Sequence, residues 1–317
     1  MAQFNKSPKF LIYIAFAAIY LIWGTTFLVI VIGLEDFPPH MMASIRFIIA
    51  GVILVAVCLY RGEGFPTSRS LAKNFIVGVI ILSGGQGILI WAEQFIDSGY
   101  AAVLVATLPF WFVIIDKKQW SVCFSNPYII AGVILGFSGI LLMFKDYLLI
   151  DTLSENDIMY IIASLAVLVS SVLWVSGSLY YRYKPAPGSI YSNLGWQLIG
   201  ASMFSFMVSV VFGEFTGFDF QAVSLQSWSA VLYLSIFGSI VAFIAYTWLL
   251  TQKPSAVVGT YAYINPVVAV FLGWLLINET ISNSQFIGMI IILGSAILVN
   301  ISKSKVQKEK KGLKSIK

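Results

Sequence analysis

The chain has 317 residues, 59% hydrophobic and 10% charged, with a mean hydropathy of +0.90. Soluble domains carry roughly 25% charged residues, so this composition excludes a water-soluble fold. The net charge of +5 does not indicate nucleic-acid binding, because the basic residues lie at the ends of apolar stretches and in one tail instead of in a patch. One histidine and two cysteines provide no metal cluster, and nothing in the sequence calls for a cofactor.

Apolar stretches of membrane-spanning length follow one another along the whole chain. A helix that crosses the hydrocarbon layer needs about 17–25 residues, and the first stretch is too long for a cleaved signal peptide. Pro38-Pro39, Asn126-Pro127 and Ser282-x-x-Gln285 are typical helix starts. We therefore predict ten transmembrane helices, roughly at residues 10–33, 39–60, 74–93, 98–115, 126–144, 158–181, 189–213, 228–250, 255–277 and 284–301.

Charges alternate sharply between the connections. Lys145 is the one basic residue in the set of connections that holds most of the acids, whereas the other set is basic and ends in a lysine-rich tail. Basic connections stay in the cytoplasm. The pattern predicts a multi-pass protein of the cell inner membrane with both termini cytoplasmic. It also places Cys58 and Cys123 near the cytoplasmic side, where a disulfide is not expected.

The two halves of the sequence resemble each other. A shift of 151 residues places Trp23 on Trp174 and Arg46 on Gln197, and a shift of 157 places Pro109 on Pro266. Five helices per half make the second repeat enter the membrane from the opposite side, which is typical of alternating-access transporters. The predicted organisation is a cytoplasmic N-terminus (1–9), a first repeat (10–144), an extracytoplasmic connection (145–157), a second repeat (158–301) and a basic cytoplasmic tail (302–317).

Several ordered motifs resemble those of one transporter family. They are Trp23-Gly24-Thr25-Thr26-Phe27, Ala43-Ser44-Ile45-Arg46-Phe47, Leu108-Pro109, Asn265-Pro266, and Asn278-Glu279-Thr280 followed by Gln285-Phe286-Ile287-Gly288. Together they resemble the EamA-type branch of the drug/metabolite transporter superfamily over about residues 10–301. The resemblance implies ten helices in two repeats and export or exchange of small metabolites such as amino acids. Asp116-Lys117-Lys118-Gln119 departs from the family pattern after the fourth span.

Arg46 is the one charge well inside a predicted span. A central arginine costs about 2.5–3.5 kcal/mol on insertion scales, so such a residue is a functional candidate. It either contacts an anionic group of the substrate, or reaches outward to the interface or to an acid of an outer connection. The spans hold no buried Asp or Glu by this interpretation, which argues against ion coupling through a carboxylate.

Polar and aromatic residues within the spans supply the other candidates. Gln86 lies in a glycine-rich stretch and is read either as a cavity residue or as part of ordinary packing. Pro109 and Pro266 each remove a backbone hydrogen bond and are candidate hinges or static kinks. The full set of cavity candidates is Trp23, Thr26, Arg46, Gln86, Asn193, Trp196, Gln197, Tyr246, Tyr263 and Asn265.

The sequence therefore predicts a secondary transporter of small organic metabolites, with drugs as further candidate substrates, that works by alternating access. The alternatives are a non-transporting membrane sensor or scaffold, or a membrane-embedded enzyme. An enzyme would need a clustered set of acid, base, nucleophile or metal ligands, and the sequence shows none, so we predict a protein that is not an enzyme. The expected partners are a small-molecule substrate and the lipid bilayer, without nucleic acid, in a monomer or homodimer.

Overall fold

The computed structural model describes residues 9–143, 155–277, 283–284, 286–295 and 298. Every regular element in these ranges is helical. The helices are α1 Lys9–Leu34, α2 Pro39–Tyr60, α3 Ser68–Ala92, α4 Ser98–Val105, α5 Leu108–Ile115, α6 Trp120–Phe124, α7 Pro127–Met143, α8 Glu155–Tyr183, α9 Ile190–Val211, α10 Leu225–Gln252, α11 Ser255–Val258, α12 Tyr261–Ile277 and α13 Phe286–Ser295.

Seven helical segments within the described ranges are long and apolar enough to cross a membrane. They coincide with the predicted first to fourth and sixth to eighth spans, and the segments Pro127–Gly139 and Phe286–Ser295 are shorter apolar helices. The prediction of an all-helical, multi-pass membrane protein is confirmed. The N-terminal residues 1–8, most of the 145–157 connection, the Ser282–Gln285 capping pair and the tail lie outside the described residues.

The third helix of each half is not a regular α-helix. Val79–Gly87 within α3 and Leu234–Val241 within α10 are π-helical. Such segments are rare and concentrate at functional sites. Both contain glycine at a close contact: Gly85 faces Trp174, and the carbonyl of Gly238 accepts a hydrogen bond from Trp23 Nε1 at 3.1 Å.

The predicted fourth and ninth spans are each interrupted, and the interruptions do not fall on the prolines. The chain leaves the helix at Ala106–Thr107, between α4 and α5, and at Gly259–Thr260, between α11 and α12. At both places a threonine hydroxyl donates to the carbonyl three residues earlier, Thr107 to Leu104 at 2.7 Å and Thr260 to Val257 at 2.8 Å. This local bond competes with the helical ladder.

The two proline candidates therefore occupy different positions. Pro109 lies in the first turn of α5, where its missing N–H leaves no bond unmade. Pro266 lies inside α12, six residues after the interruption. Both prolines remain hinge candidates, and the feature that the two spans share is a threonine-bonded break that precedes each proline.

Helices α2 and α9, the second helix of each predicted half, pack closely against each other. Ser44 Oγ donates to the Ser202 carbonyl at 3.1 Å, and Ser202 Oγ donates to the Ser44 carbonyl at 2.9 Å. A Cβ on Gly51 would come within 3.0 Å of the Gly195 carbonyl oxygen. Small residues and reciprocal hydroxyl bonds are the usual means by which helices associate in a membrane.

Candidate functional site

A cavity lies among helices of both halves of the chain. It has about 50 Å³ available to the centres of water molecules, which is room for a few waters. Helices α1, α3, α4, α5, α8 and α12 contribute its walls. The lining residues are Trp23, Thr26, Phe27, Gly85, Gln86, Leu89, Val105, Leu108, Ser170, Ser171, Trp174, Tyr261 and Asn265.

Aromatic rings form one wall of this cavity. The Trp23 ring lies 5.5 Å from that of Trp174 and 4.7 Å from that of Tyr261, centroid to centroid, and both pairs meet edge to face. Tyr246 lies behind them and does not line the cavity. Its hydroxyl accepts from Trp174 Nε1 at 3.0 Å and donates to Ser178 Oγ at 2.8 Å. Each edge-to-face pair adds about 0.5–1.5 kcal/mol beyond area burial, so the wall is a rigid platform.

Three buried polar atoms of lining residues have no hydrogen-bond partner. They are Gln86 Oε1, Ser171 Oγ and Asn265 Oδ1. A buried polar atom left unpaired costs about 1–3 kcal/mol, so these atoms favour a ligand that donates hydrogen bonds to them. None of the lining residues is charged. The cavity therefore suits a small molecule with several donors and an apolar or aromatic group.

Arg46 is fully buried but lies outside the cavity lining. Its Nε donates to Ser239 Oγ at 2.8 Å, and its Nη2 has no partner. A Cβ on Gly238 would lie 2.8 Å from Arg46 Nη2 and 3.3 Å from the methyl group of Thr26, which lines the cavity. The guanidinium is thus placed directly behind the cavity wall, and its burial excludes the alternative in which the side chain reaches outward to the interface.

The sequence-based expectation that no span holds a buried carboxylate is wrong. Glu93, the last residue of the predicted third span, is 7% exposed, and both of its carboxylate oxygens lack a hydrogen-bond partner. Periodicity could not reveal this, because an acid at the end of an apolar stretch normally faces water. The bundle covers Glu93 instead, and Arg46 is the charged group that acts on it.

Four of the sequence candidates are brought together in the cavity: Trp23, Thr26, Gln86 and Asn265. Asn193 and Gln197 lie elsewhere, in a network with Asn74 that ties α9 to α3. Asn74 Nδ2 donates to Asn193 Oδ1 at 2.9 Å, and Gln197 Nε2 donates to Asn74 Oδ1 at 3.4 Å. This network joins the packed helices through side-chain amides, and it leaves Gln197 Oε1 without a partner.

Trp196 and Tyr263 also lie away from the cavity. The ring of Trp196 approaches that of Phe65 at 6.0 Å. Tyr263 is buried in a second cluster with Val103 and Met289, and its hydroxyl donates to the Val133 carbonyl at 3.3 Å. The sequence indicates how deep these residues lie along their helices, but it does not reveal which face of the helix each one occupies.

Sequence reasoning missed four of the polar or aromatic lining residues: Ser170, Ser171, Trp174 and Tyr261. The match of Trp23 to Trp174 between the two halves was the available signal for one of them. Adjacent serines in the middle of an apolar stretch were the signal for Ser170 and Ser171. Tyr261 follows the break at Gly259–Thr260, which the sequence did not indicate.

A second, larger pocket opens at the end of the bundle where α2 begins and α3 ends. About 430 Å³ of this pocket is available to the centres of water molecules. Its walls include Asp36, His40, Trp91, Gln94 and Glu214. Glu214 accepts hydrogen bonds from the backbone N–H of His40 at 3.2 Å and of Met41 at 2.8 Å, and from Ser209 Oγ at 2.8 Å. These bonds fix the start of α2 at the rim of the pocket.

Long apolar helices that surround a small cavity lined by uncharged residues define the class of multi-pass membrane proteins. The sequence profile of the EamA-like transporter family matches residues 10–145 and again residues 161–301. The chain belongs to this family and is a membrane transporter of the EamA type.

Individual relatives agree with this membership. The uncharacterized inner membrane transporter YedA of Escherichia coli (strain K12) is 34% identical over 298 residues, covering 91% of this chain and 90% of the relative. The uncharacterized transporter YoaV of Bacillus subtilis (strain 168) is 26% identical, covering 87% and 91%. One solved crystal structure matches with a TM-score of 0.74 over 95% of this chain and 99% of that chain. At 19% identity it shows a shared fold alone.

Proposed function

We propose that this protein is a secondary transporter of the inner membrane that exports or exchanges small organic metabolites by alternating access. The observation that carries the proposal is the cavity between the halves of the chain, with three unpartnered polar atoms beside a wall of aromatic rings. The substrate class is a small amphipathic compound with several hydrogen-bond donors and an apolar or aromatic group. Amino acids with apolar side chains and related compounds, including some drugs, have this chemistry.

The proposed architecture is ten transmembrane helices in two inverted repeats, residues 10–144 and 158–301, with both termini cytoplasmic. Two observations support it. The family profile matches the chain twice. The same irregularities also recur in both halves, a π-helical segment in the third helix and a threonine-bonded break in the fourth span. Interrupted or irregular helices in corresponding positions of two repeats are typical of transporters that work by alternating access.

The test uses the purified full chain in proteoliposomes. Liposomes loaded with an unlabelled compound are diluted into the labelled form of the same compound, over a panel of amino acids and nucleobases, and counterflow is measured. We expect wild-type protein to exchange at least one panel compound, and Gln86→Ala and Asn265→Ala to raise its half-saturation concentration. Loss of one hydrogen bond of about 0.5–1.5 kcal/mol corresponds to about 2- to 10-fold.

Gln221→Ala is the matched control, because Gln221 is an exposed glutamine outside the cavity. It should exchange like the wild type. No exchange of any panel compound by correctly inserted wild-type protein contradicts the proposed function. Equal effects of the cavity and control variants place the substrate elsewhere.

A further inference from the structure

Glu93 and Arg46 form an unusual pair of buried charged groups. Arg46 is 1% exposed and Glu93 is 7% exposed, and the two side chains interact electrostatically. Yet neither carboxylate oxygen of Glu93 accepts any hydrogen bond, so Arg46 does not donate to it. Arg46 Nη2 is likewise without an acceptor. Both groups have thus been removed from water without a direct hydrogen bond between them. Such a bond would offset the free energy that is lost when charged groups are buried.

The neighbouring carboxylates show that this bundle normally satisfies its acids. Glu214 accepts three hydrogen bonds at the same end of the bundle. At the other end, Asp116 is 2% exposed and accepts hydrogen bonds from the Tyr183 hydroxyl at 2.6 Å and from Ser255 Oγ at 2.5 Å. Glu93 is therefore an exception within the described part of the chain. An unpartnered carboxylate in a water-poor site is stable only in its neutral, protonated form.

Among the side chains that the structure describes, Arg46 is the charged group that acts on Glu93. Helices α2 and α8 and the π-helical segment pack against the end of α3 that carries Glu93. Within α2, His40 lies beside Glu214 and stacks on Phe212. The ring of Tyr160 in α8 packs on Tyr100, and Val79–Gly87 contains no ionisable residue. The charge state of Glu93 therefore depends on the protein's arrangement around Arg46.

Residues close to Glu93 in the chain reach the large pocket, and Arg46 reaches the wall of the central cavity. Trp91, two residues before Glu93, and Gln94, directly after it, line the large pocket at the end of the bundle. Arg46 contacts Gly238 beside Thr26, and Thr26 lines the central cavity. Gly238 belongs to the π-helical segment of α10, which also receives the indole bond of Trp23. A rearrangement of this segment would therefore move Ser239, the hydrogen-bond partner of Arg46, together with the acceptor of the Trp23 indole in the cavity wall.

We propose that Glu93 is the proton-binding site that couples transport to a proton gradient. The inference rests on the proposed function and adds its driving ion. In the arrangement described here, the carboxylate takes up one proton from water and becomes a neutral carboxylic acid. In the alternate arrangement, Arg46 pairs with the carboxylate, the ionised form is stabilised, and the same proton returns to water. Because the arrangement described here binds the additional proton, acidic pH favours it and alkaline pH favours the paired one.

The first test is infrared difference spectroscopy of the purified full chain, which needs no substrate. We expect the carbonyl stretch of a protonated carboxylic acid at neutral pH, and its loss as the pH is raised. The band should be missing in Glu93→Gln. Glu93→Asp keeps a carboxyl group and should shift the band to another frequency. This variant serves as the test if Glu93→Gln fails to insert into the membrane. In Arg46→Gln the band should persist to a higher pH, because the positive charge that favours ionisation is gone.

Glu214→Gln is the spectroscopic control, since Glu214 accepts three hydrogen bonds and its replacement should leave the band unchanged. A band absent from the wild type, or unchanged in Glu93→Gln, overturns the proposal. A band that never titrates also overturns it, since Glu93 would then be a permanently neutral structural group.

The second test is accumulation in proteoliposomes of a panel compound that the wild-type protein exchanges. An imposed pH gradient should drive its accumulation by the wild type above the level reached at equal pH, and Glu93→Gln should lose this driven component. Accumulation in the wild type that does not respond to the gradient overturns the proposal and leaves the proposed transport function standing. Absence of any exchange by the wild type instead contradicts the proposed function, while the infrared band still tests Glu93.

Discussion

The indole rings of Trp23 and Trp174 meet edge to face, with centroids 5.5 Å apart and ring planes at 82°. The two residues occupy equivalent positions in the two halves of the sequence, so the contact joins the first helix of each proposed repeat. One face of this pair lines the cavity, and Tyr246 supports the other through the bond from Trp174 Nε1. The contact is therefore both the junction of the halves and part of the candidate site.

The first prediction tests this junction by a double-mutant cycle. Trp23→Ala and Trp174→Ala should show a coupling of about 0.5–1.5 kcal/mol in the free energy of unfolding. Either single substitution already removes the contact between the rings, so the double variant does not lose it a second time. Unfolding by a denaturing detergent, followed by circular dichroism, gives the four free energies. Trp228 packs on Phe37 instead, so Trp23→Ala with Trp228→Ala serves as a control and should be additive. If the losses of unfolding free energy for Trp23→Ala and Trp174→Ala simply add up in the double variant, the contact between the two rings contributes no stability.

The second prediction concerns orientation. Basic connections on one side of the membrane require cytoplasmic termini. An alkaline phosphatase reporter, active only outside the cytoplasm, should be active when fused after Glu155 and inactive when fused after Lys303. A cytoplasmic reporter such as green fluorescent protein should give the reverse pattern. Phosphatase activity at the tail position would contradict an even number of spans with both termini inside.

The third prediction separates the two proline hinge candidates. Pro109 lies in the first turn of α5, so Pro109→Ala removes no constraint on a helical bond and should leave turnover close to that of the wild type. Pro266 lies inside α12, so Pro266→Ala restores a backbone donor and should slow turnover by stiffening the helix. Counterflow rates at saturating substrate report the difference. Equal rates for both variants and the wild type would make both prolines static features.

The fourth prediction concerns helix packing. A Cβ on Gly78 would lie 2.0 Å from the carbonyl oxygen of Gln197, and the clash involves backbone atoms that cannot turn aside. Gly78→Ala should therefore lower stability by about 1–3 kcal/mol through overpacking between α3 and α9. Gly294→Ala is the matched control, because nothing lies within 4 Å of its Cβ position. Thermal unfolding in mild detergent distinguishes the variants, and an unchanged midpoint for Gly78→Ala would contradict this packing.

The fifth prediction concerns the reactivity of Cys123. Burial, aided by the negative charge of Asp116, raises the pKa of this thiol to about 11. The raised pKa leaves about one thiolate per thousand molecules at pH 8, so alkylation should be slow there and should accelerate steadily as the pH approaches 11. Cys58→Ser makes Cys123 the single cysteine, and iodoacetamide labelling followed by mass spectrometry gives the rate. Labelling at pH 8 as fast as that of a free thiol would contradict the buried position.

The long apolar stretches determined the class of this protein by themselves. Burying about twenty consecutive apolar residues requires a helix that crosses a bilayer, so the positions of most spans were predictable. The sequence also singled out Trp23, Thr26, Gln86 and Asn265, which line the cavity, because polar and aromatic groups inside a span are costly unless they face a cavity or a partner.

Tertiary structure alone decided which faces these residues present. Asn193 and Gln197 resemble Gln86 in sequence, yet they bond to Asn74 between packed helices, while Gln86 lines the cavity. The charge state proposed for Glu93 likewise depends on burial by helices distant in the chain. The linear pattern of the sequence indicates how deep in the membrane a residue lies. Its contact partners depend instead on how the helices rotate and pack. The interaction of Glu93 with Arg46 could therefore be recognised only in the folded protein.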